Sequence, residues 1–140
     1  MSGAVLAVVD TGPLYASLDR DDADHERCAA VLQRPDLQLV IPVLVVAETS
    51  YLAGTRLGAG VEAQFVAALA ALEVEAPVPE DWTRIAELVD RYADFPLGTT
   101  DASVVALAER LDAELVVTLD TRLFRAVRPR HREALHLLPD

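Results

Sequence analysis

Four acidic side chains occur where the surrounding sequence predicts apolar packing. Asp10 and Asp120 follow the apolar runs 5–9 and 115–119, Asp101 opens a predicted helix, and Glu48 stands among apolar residues of another helix. Carboxylates that converge repel one another unless a cation neutralises them, and hard oxygen ligands suit Mg²⁺ or Mn²⁺. Such a site hydrolyses phosphodiesters by activating water and stabilising charge on the phosphate.

Glu48 is the clearest of the four acids. Its neighbours one turn away along a helix are all apolar or aromatic: Leu44, Val45, Tyr51 and Leu52. Since residues three and four apart share a helix face, we expect Glu48 to lie within the buried side, where an unpaired charge is costly. A partly buried glutamate paired with an arginine is the alternative.

The other three acids are less specific when taken singly. Asp101 has Val104 and Val105 one turn ahead, which directs it inward. It could equally be a helix cap, worth about 1 kcal/mol, although Thr99 and Thr100 could fill that role. Asp10 and Asp120 could each be ordinary turn aspartates.

Strands and helices alternate along the whole chain, and these elements must position the acids. We expect strands over 5–9, 37–41, 74–78 and 115–119, with a last edge strand over 135–138. Helices are expected over 11–18, 22–33, 42–57, 61–72, 82–92, 99–111 and 122–127. Nearly continuous apolar runs are typical of strands buried on both faces, so the pattern predicts the α/β class with a parallel sheet. The pattern does not determine the strand order.

A parallel sheet gives the acids a common location. The carboxyl ends of its strands and the amino ends of the following helices share one edge. Asp10, Asp101 and Asp120 can therefore converge there, and a helix packed across that edge could bring Glu48 to them.

Composition bounds the remaining possibilities. The 140 residues fit one domain, 1–140, and the net charge is −11 with every basic residue an arginine. This charge opposes non-specific binding of nucleic acid and favours a basic protein partner. Cys28 is the single cysteine, which excludes an intrachain disulfide and favours a reducing cytoplasmic location. No apolar run approaches membrane-spanning length, so no membrane association is expected.

Arginines crowd the segment after Asp120, at positions 122, 125, 128, 130 and 132. Two interpretations stay open for them. Arg122 and Arg125 could hold RNA phosphates beside the acids, or the segment could be a solvated face that pairs with surface carboxylates.

Several other residues favour packing or surface roles. The three histidines lack metal-ligand spacing and are interpreted as surface or structural, and Trp82 and Cys28 are expected to pack. Tyr51 and Leu52 fit either the core or a dimer surface.

Four segments resemble the motifs of PIN-domain ribonucleases, and within these the VapC toxins of bacterial toxin–antitoxin pairs. They are VVDTGPL at 8–14, the segment 41–48, LGTTDAS at 97–103 and VTLD at 117–120. The resemblance covers essentially the whole chain. It implies a Rossmann-like α/β/α sandwich with a central, mostly parallel sheet of four or five strands. It also implies Mg²⁺- or Mn²⁺-dependent endonuclease activity on RNA, a homodimer and a VapB antitoxin partner.

By position, Asp10, Glu48, Asp101 and Asp120 match the acidic tetrad of that family, which is catalytic and binds metal. Asp10 and Asp101 correspond to the firmest ligands, and Asp120 is expected to act through water or a second metal. No side-chain nucleophile is needed in such a mechanism. A PIN-like module that binds a partner with little or no catalysis is the alternative, and the intact tetrad argues against it.

Three further residues correspond to family positions near the site. Thr118 matches a hydroxyl position beside the acids, and Thr11 is expected to help orient Asp10. Asp94 matches a recurrent position, for which a solvated or structural role is favoured over catalysis.

Overall fold

The computed structural model describes residues 3–140, which form one sheet and the helices around it. The strands are β1 (Val5–Val9), β2 (Leu37–Pro42), β3 (Glu73–Glu75), β4 (Leu115–Val117) and β5 (His136–Leu138). The helices are α1 (Thr11–Leu18), α2 (His25–Leu32), α3 (Val43–Leu57), α4 (Ala59–Ala68), α5 (Pro79–Arg91), α6 (Thr99–Arg110) and α7 (Thr121–Ala126). A 3₁₀ turn, Leu69–Ala71, follows α4.

All neighbouring strands pair in parallel, in the order β3-β2-β1-β4-β5. The predicted α/β class and five-stranded parallel sheet are therefore confirmed. Strands β2 and β3 lie on one side of β1, whereas β4 and β5 lie on the other. The carboxyl ends of β1 and β4 thus flank the point where the strand order reverses, and open α/β sheets bind ligands at such points.

Burial explains why the central strands read as continuous apolar runs. Residues 7–9 of β1 and 116–117 of β4 are fully buried because helices cover the sheet. Helix α6 packs on β1, β2 and β4 and also against α5, so its residues 102–108 are all buried. The helix that begins near Asp101 is thus held firmly against the strand that ends at Asp10.

Several predicted helix starts were wrong, each for a local reason. Helix α2 begins at His25 rather than 22, because the Asp22 carboxylate accepts a 2.8 Å hydrogen bond from the Asp24 N–H and keeps that stretch as a turn. Gly58 alone, at φ +99°, ends α3, so α4 begins at Ala59 rather than 61. Helix α4 ends at Ala68 rather than 72, where the 3₁₀ turn follows.

Two predicted strands were too long. β3 occupies Glu73–Glu75 rather than 74–78, and α5 begins at Pro79 rather than 82, since proline suits the first turn of a helix. β4 ends at Val117 rather than 119. Within residues 3–140 no helix is long and apolar enough to cross a membrane.

Candidate active site

Strand β1 delivers Asp10 to the carboxyl edge of the sheet. The Asp10 N–H donates to the Val117 carbonyl at 2.9 Å, which extends the β1–β4 ladder by one residue. Val9 pairs with Val117, so Thr118 lies beside Asp10 and donates its hydroxyl proton to Asp10 Oδ2 at 2.8 Å. Asp10 is 6% exposed. Its carboxylate is therefore held in one orientation by the neighbouring strand.

Helix α6 positions Asp101 in its first turn. Asp101 Oδ2 accepts a hydrogen bond of 3.2 Å from the N–H of Gly98, the N-cap residue. Asp101 itself therefore makes the capping contact that Thr99 or Thr100 could have supplied. The capping interpretation therefore holds, and the same contact fixes the Asp101 carboxylate at the sheet edge.

Asp120 lies at the start of α7, beyond the end of β4. Its Oδ1 accepts from the Leu123 N–H at 3.2 Å, and its own N–H donates to Thr118 Oγ1 at 3.0 Å. The prediction of a strand through 119 was wrong because this Thr118 contact turns the chain out of the sheet. Asp120 nevertheless remains at the carboxyl edge, next to Thr118.

Glu48 is exposed, and the prediction that it is buried was wrong. The buried face of α3 consists of Val45, Thr49 and Ala53, one position further along the helix. Packing of α3 on α1, β2 and α6 selects that face. The alternative of a Glu48–arginine pair is not seen either, because within residues 3–140 Glu48 forms no ion pair. Tyr51 is 68% exposed, which excludes a core role for it.

The four acids line one open cleft of about 450 Å³. The residues around this acidic cleft are Asp10, Thr11, Gly12, Glu48, Asp101, Leu119 and Asp120. In the described part of the chain, no three Asp, Glu, His or Cys side chains already form a group able to hold an ion. The acids therefore share a cleft without being closed around a single point.

Burial and mutual repulsion raise the pKa values of two of these acids. Burial raises the pKa of Asp10 to about 6, and the charges of Asp101 and Glu48 add to this rise. Hydrogen bonds from Thr118 and from the Thr11 backbone act in the opposite direction. The pKa of Asp101 is raised by burial and by the charges of Glu48 and Asp120, against the Gly98 hydrogen bond. Negative charge in the acidic cleft is thus costly without a cation.

Thr11 acts on Asp10 through its backbone rather than its side chain. Its Oγ1 is buried and has no hydrogen-bond partner among residues 3–140. A buried hydroxyl without a partner is uncommon in folded proteins. It leaves an unused donor and acceptor on a residue that lines the acidic cleft.

The arginines after Asp120 divide into two groups. Arg130 pairs with Glu87 at 2.7 Å and Arg132 reaches Asp112 at 3.5 Å, so the solvated-face interpretation holds for these two. Within the described residues, Arg122 and Arg125 are exposed and form no ion pair with a carboxylate. Arg122 lies instead over the Phe95 ring, with its guanidinium carbon 5.4 Å from the ring centroid.

The remaining sequence predictions have mixed outcomes. Cys28 is fully buried and Asp94 is exposed, as expected. His25 and His131 each bond a backbone carbonyl, at 2.7 and 2.6 Å, which agrees with structural roles. The prediction that Trp82 packs was wrong, since 48% of it is exposed.

Comparison with known proteins places this geometry in a family context. The PIN domain family model matches residues 7–129. Ribonuclease VapC26 of Mycobacterium tuberculosis (strain ATCC 25618 / H37Rv) is 34% identical over 124 residues, which cover 87% of this chain and 92% of the relative.

Two solved structures share the fold. The crystal structure of VapC20 from Mycobacterium tuberculosis, a toxin that cleaves the sarcin-ricin loop, matches with a TM-score of 0.71 and 20% identity over 79% of this chain and 86% of that one. VapBC2 from Rickettsia felis, bound to a DNA fragment from its promoter, matches with a TM-score of 0.69 and 15% identity over 95% and 97%.

Proposed function

Because the chain belongs to the PIN-domain family, and within it to the VapC ribonucleases, we propose that it is the endoribonuclease toxin of a toxin–antitoxin pair. It hydrolyses RNA phosphodiester bonds in the cytoplasm. The observation that carries this proposal is the acidic cleft, where four carboxylates from four separate segments meet at the strand-order reversal.

The donor set of the acidic cleft fits a hard divalent cation, Mg²⁺ or Mn²⁺. Oxygen ligands dominate the cleft, and the raised pKa values of Asp10 and Asp101 indicate charge that a cation would relieve. Asp10 and Asp101 would hold the ion, and Glu48 and Asp120 would complete the acidic lining around it. When bound, the ion would lower the pKa of a coordinated water and stabilise negative charge on the phosphate.

The chain's own groups keep the acids oriented for this task. Thr118 holds Oδ2 of Asp10, while the N–H groups of Gly98 and Leu123 hold one oxygen each of Asp101 and Asp120. Asp101 and Asp120 thus each keep a second oxygen for other contacts. Among the described residues that line the cleft none is Ser, Cys or His, and the Oγ1 of the one hydroxyl residue, Thr11, is buried, which favours water as the nucleophile. Arg122 and Arg125 would bind the RNA phosphates beside the acids.

The partner of the toxin would be a VapB-type antitoxin with a basic segment. The net charge of −11 and the acidic cleft favour an arginine-bearing chain that covers the acids. A homodimer is the expected assembly, and the exposed Tyr51 on α3 is the residue we assign to its surface. Purification with the neighbouring reading frame of the host tests the antitoxin, and recovery without any small basic protein would contradict it.

Sequencing of RNA ends from cells after induction tests the ribonuclease activity. The chain should generate discrete new RNA ends, and the Asp10→Asn variant should generate none. Asp94→Asn is the matched control, because it removes an exposed acid outside the acidic cleft and should cleave like the parent. If the parent chain and the Asp10→Asn variant gave identical RNA ends, the result would support the non-catalytic binding module instead.

A further inference from the structure

Five residues from three segments form one patch of alternating arginines and rings. Arg122 on α7 lies over Phe95 at 5.4 Å, and Arg91 on α5 lies over Tyr92 at 5.7 Å. The two rings meet edge to face with centroids 6.3 Å apart, and the Tyr92 hydroxyl accepts from the backbone N–H of Arg128 at 3.0 Å. We refer to these five residues as the Arg–aromatic patch.

Two of the three arginines of this patch, Arg91 and Arg122, have their guanidinium groups over rings and not on carboxylates. Across residues 3–140, Arg91, Arg122 and Arg128 form no ion pair, although the chain carries a net charge of −11. A guanidinium that stacks on a ring keeps the N–H donors at its edge for other acceptors. Stacking also restricts the long side chain, which lowers the entropy lost on binding.

The patch adjoins the acidic cleft along the chain in two places. Arg122 comes two residues after Asp120, which lines the cleft. Phe95 comes three residues before Gly98, and the N–H of Gly98 donates to the Asp101 carboxylate. Two members of the patch are thus within a few residues of a cleft acid.

We propose that the Arg–aromatic patch binds single-stranded RNA next to the scissile phosphate, with arginines on phosphates and the Phe95 and Tyr92 surfaces against unpaired bases. Aromatic rings and guanidinium planes stack unpaired bases, which a double helix keeps hidden. The assignment rests on the proposed ribonuclease function and names the form of RNA that the site selects. A basic antitoxin segment is disfavoured here, because the patch carries the same sign of charge.

Anisotropy of a fluorescent single-stranded RNA tests the patch in the Asp10→Asn chain, which would leave the RNA intact. EDTA is present and the KCl concentration is varied. Adding Arg91→Gln or Arg122→Gln should weaken binding and lower the slope of log affinity against log salt by about 0.7 each. Adding Phe95→Leu, which keeps an apolar side chain for packing, should weaken binding at least about 5-fold and leave the slope unchanged. Arg132→Gln, in the same segment but paired with Asp112, is the control and should change neither.

A duplex of the same sequence should bind more weakly than the single strand, and the Phe95→Leu change should not affect that binding. Equal loss for all variants and the control, equal affinity for duplex and single strand, or loss of antitoxin binding in place of RNA binding would each overturn the proposal. Its failure is separate from failure of the proposed function. In the first case the parent chain cleaves RNA while the patch variants bind normally, and in the second the parent chain does not cleave at all.

Discussion

The Thr118 hydroxyl donates to Asp10 Oδ2 at 2.8 Å and accepts from the Asp120 N–H at 3.0 Å. One buried side chain at the end of β4 therefore fixes the carboxylate that ends β1 and the backbone of the residue that caps α7. This contact lies where the strand order reverses, so the orientation of two cleft acids depends on a single hydroxyl.

Replacing Thr118 by Val should impair cleavage without changing the fold, since the two side chains have the same shape. Asp10 would lose its orienting hydrogen bond, and loss of such an outer contact to a metal-ligating group typically costs about 10- to 100-fold in activity or metal affinity. Thr118→Ser restores the hydroxyl and should recover most of the activity. The measurement is kcat/KM for RNA cleavage at saturating Mg²⁺. Equal activity of the Val and Ser variants would show that the hydroxyl does not orient Asp10.

Replacing Asp10 by Asn should stabilise the metal-free protein in a pH-dependent way. The folded-state pKa of about 6 lies above the ordinary aspartate pKa of 3.8, so the folded state binds more protons between these pH values. The stability that Asp10 contributes in its protonated form is complete below about pH 4 and is lost as pH rises through 6. The Asn variant lacks this loss, so its free energy of unfolding should exceed that of the parent by up to about 3 kcal/mol at pH 7 and match it near pH 4.

Urea unfolding in EDTA between pH 4 and pH 7 measures this difference. Asp94→Asn is again the control, and its difference from the parent should stay flat with pH. A pH-independent difference for Asp10→Asn, or one that grows toward low pH, would contradict the burial of a costly charge at this position.

Breaking the buried ion pair between Arg84 of α5 and Glu109 of α6 should lower the free energy of unfolding. Arg84 donates to both carboxylate oxygens of Glu109, at 2.8 and 2.9 Å, and each side chain is only 10% exposed. Arg84→Met leaves the buried Glu109 carboxylate without its cation and should cost about 3–5 kcal/mol in the free energy of unfolding. Glu109→Gln should cost less, because Arg84 keeps its 3.4 Å contact with Glu87. The double replacement by Met at 84 and Gln at 109 should cost clearly less than the two single costs together.

Urea unfolding of the two single variants and the double variant gives the coupling energy. Asp36→Asn is the comparison, because its pair with Arg34 is of similar length, 2.7 Å, but exposed, and its loss should have a far smaller effect. Additive costs at Arg84 and Glu109 would contradict the coupling of α5 to α6 through this pair.

Local patterns predicted some parts of the site well. An apolar run that ends in an acid predicted both β1 and the location of Asp10, because a strand buried on both faces leaves few other interpretations. The four acids that stood out from their neighbours do line one cleft. Strand order could not be predicted, because it depends on contacts between distant segments.

Where prediction failed, tertiary contacts decided between similar local patterns. Helix α3 is apolar on two adjacent faces, and packing on α1, β2 and α6 selected the face of Val45, Thr49 and Ala53 over that of Glu48. The Arg–aromatic patch joins α5, the loop before α6, and the segment from α7 onward. Arg91, Tyr92 and Phe95 were the available signal, but Arg122 and Arg128, which contact the two rings, lie about thirty residues further along the chain.

Addition of Mg²⁺ to the metal-stripped chain tests the central claim most directly, with single-stranded RNA as substrate. The account predicts no cleavage in EDTA, cleavage that rises and saturates with Mg²⁺, and products without a 2′,3′-cyclic phosphate, since water is the nucleophile. Asp10→Asn should abolish the Mg²⁺-dependent cleavage, whereas Asp94→Asn should retain it. Cleavage that persists in EDTA, or wild-type turnover by Asp10→Asn in Mg²⁺, would contradict the assignment of the acidic cleft as a metal-dependent nuclease site.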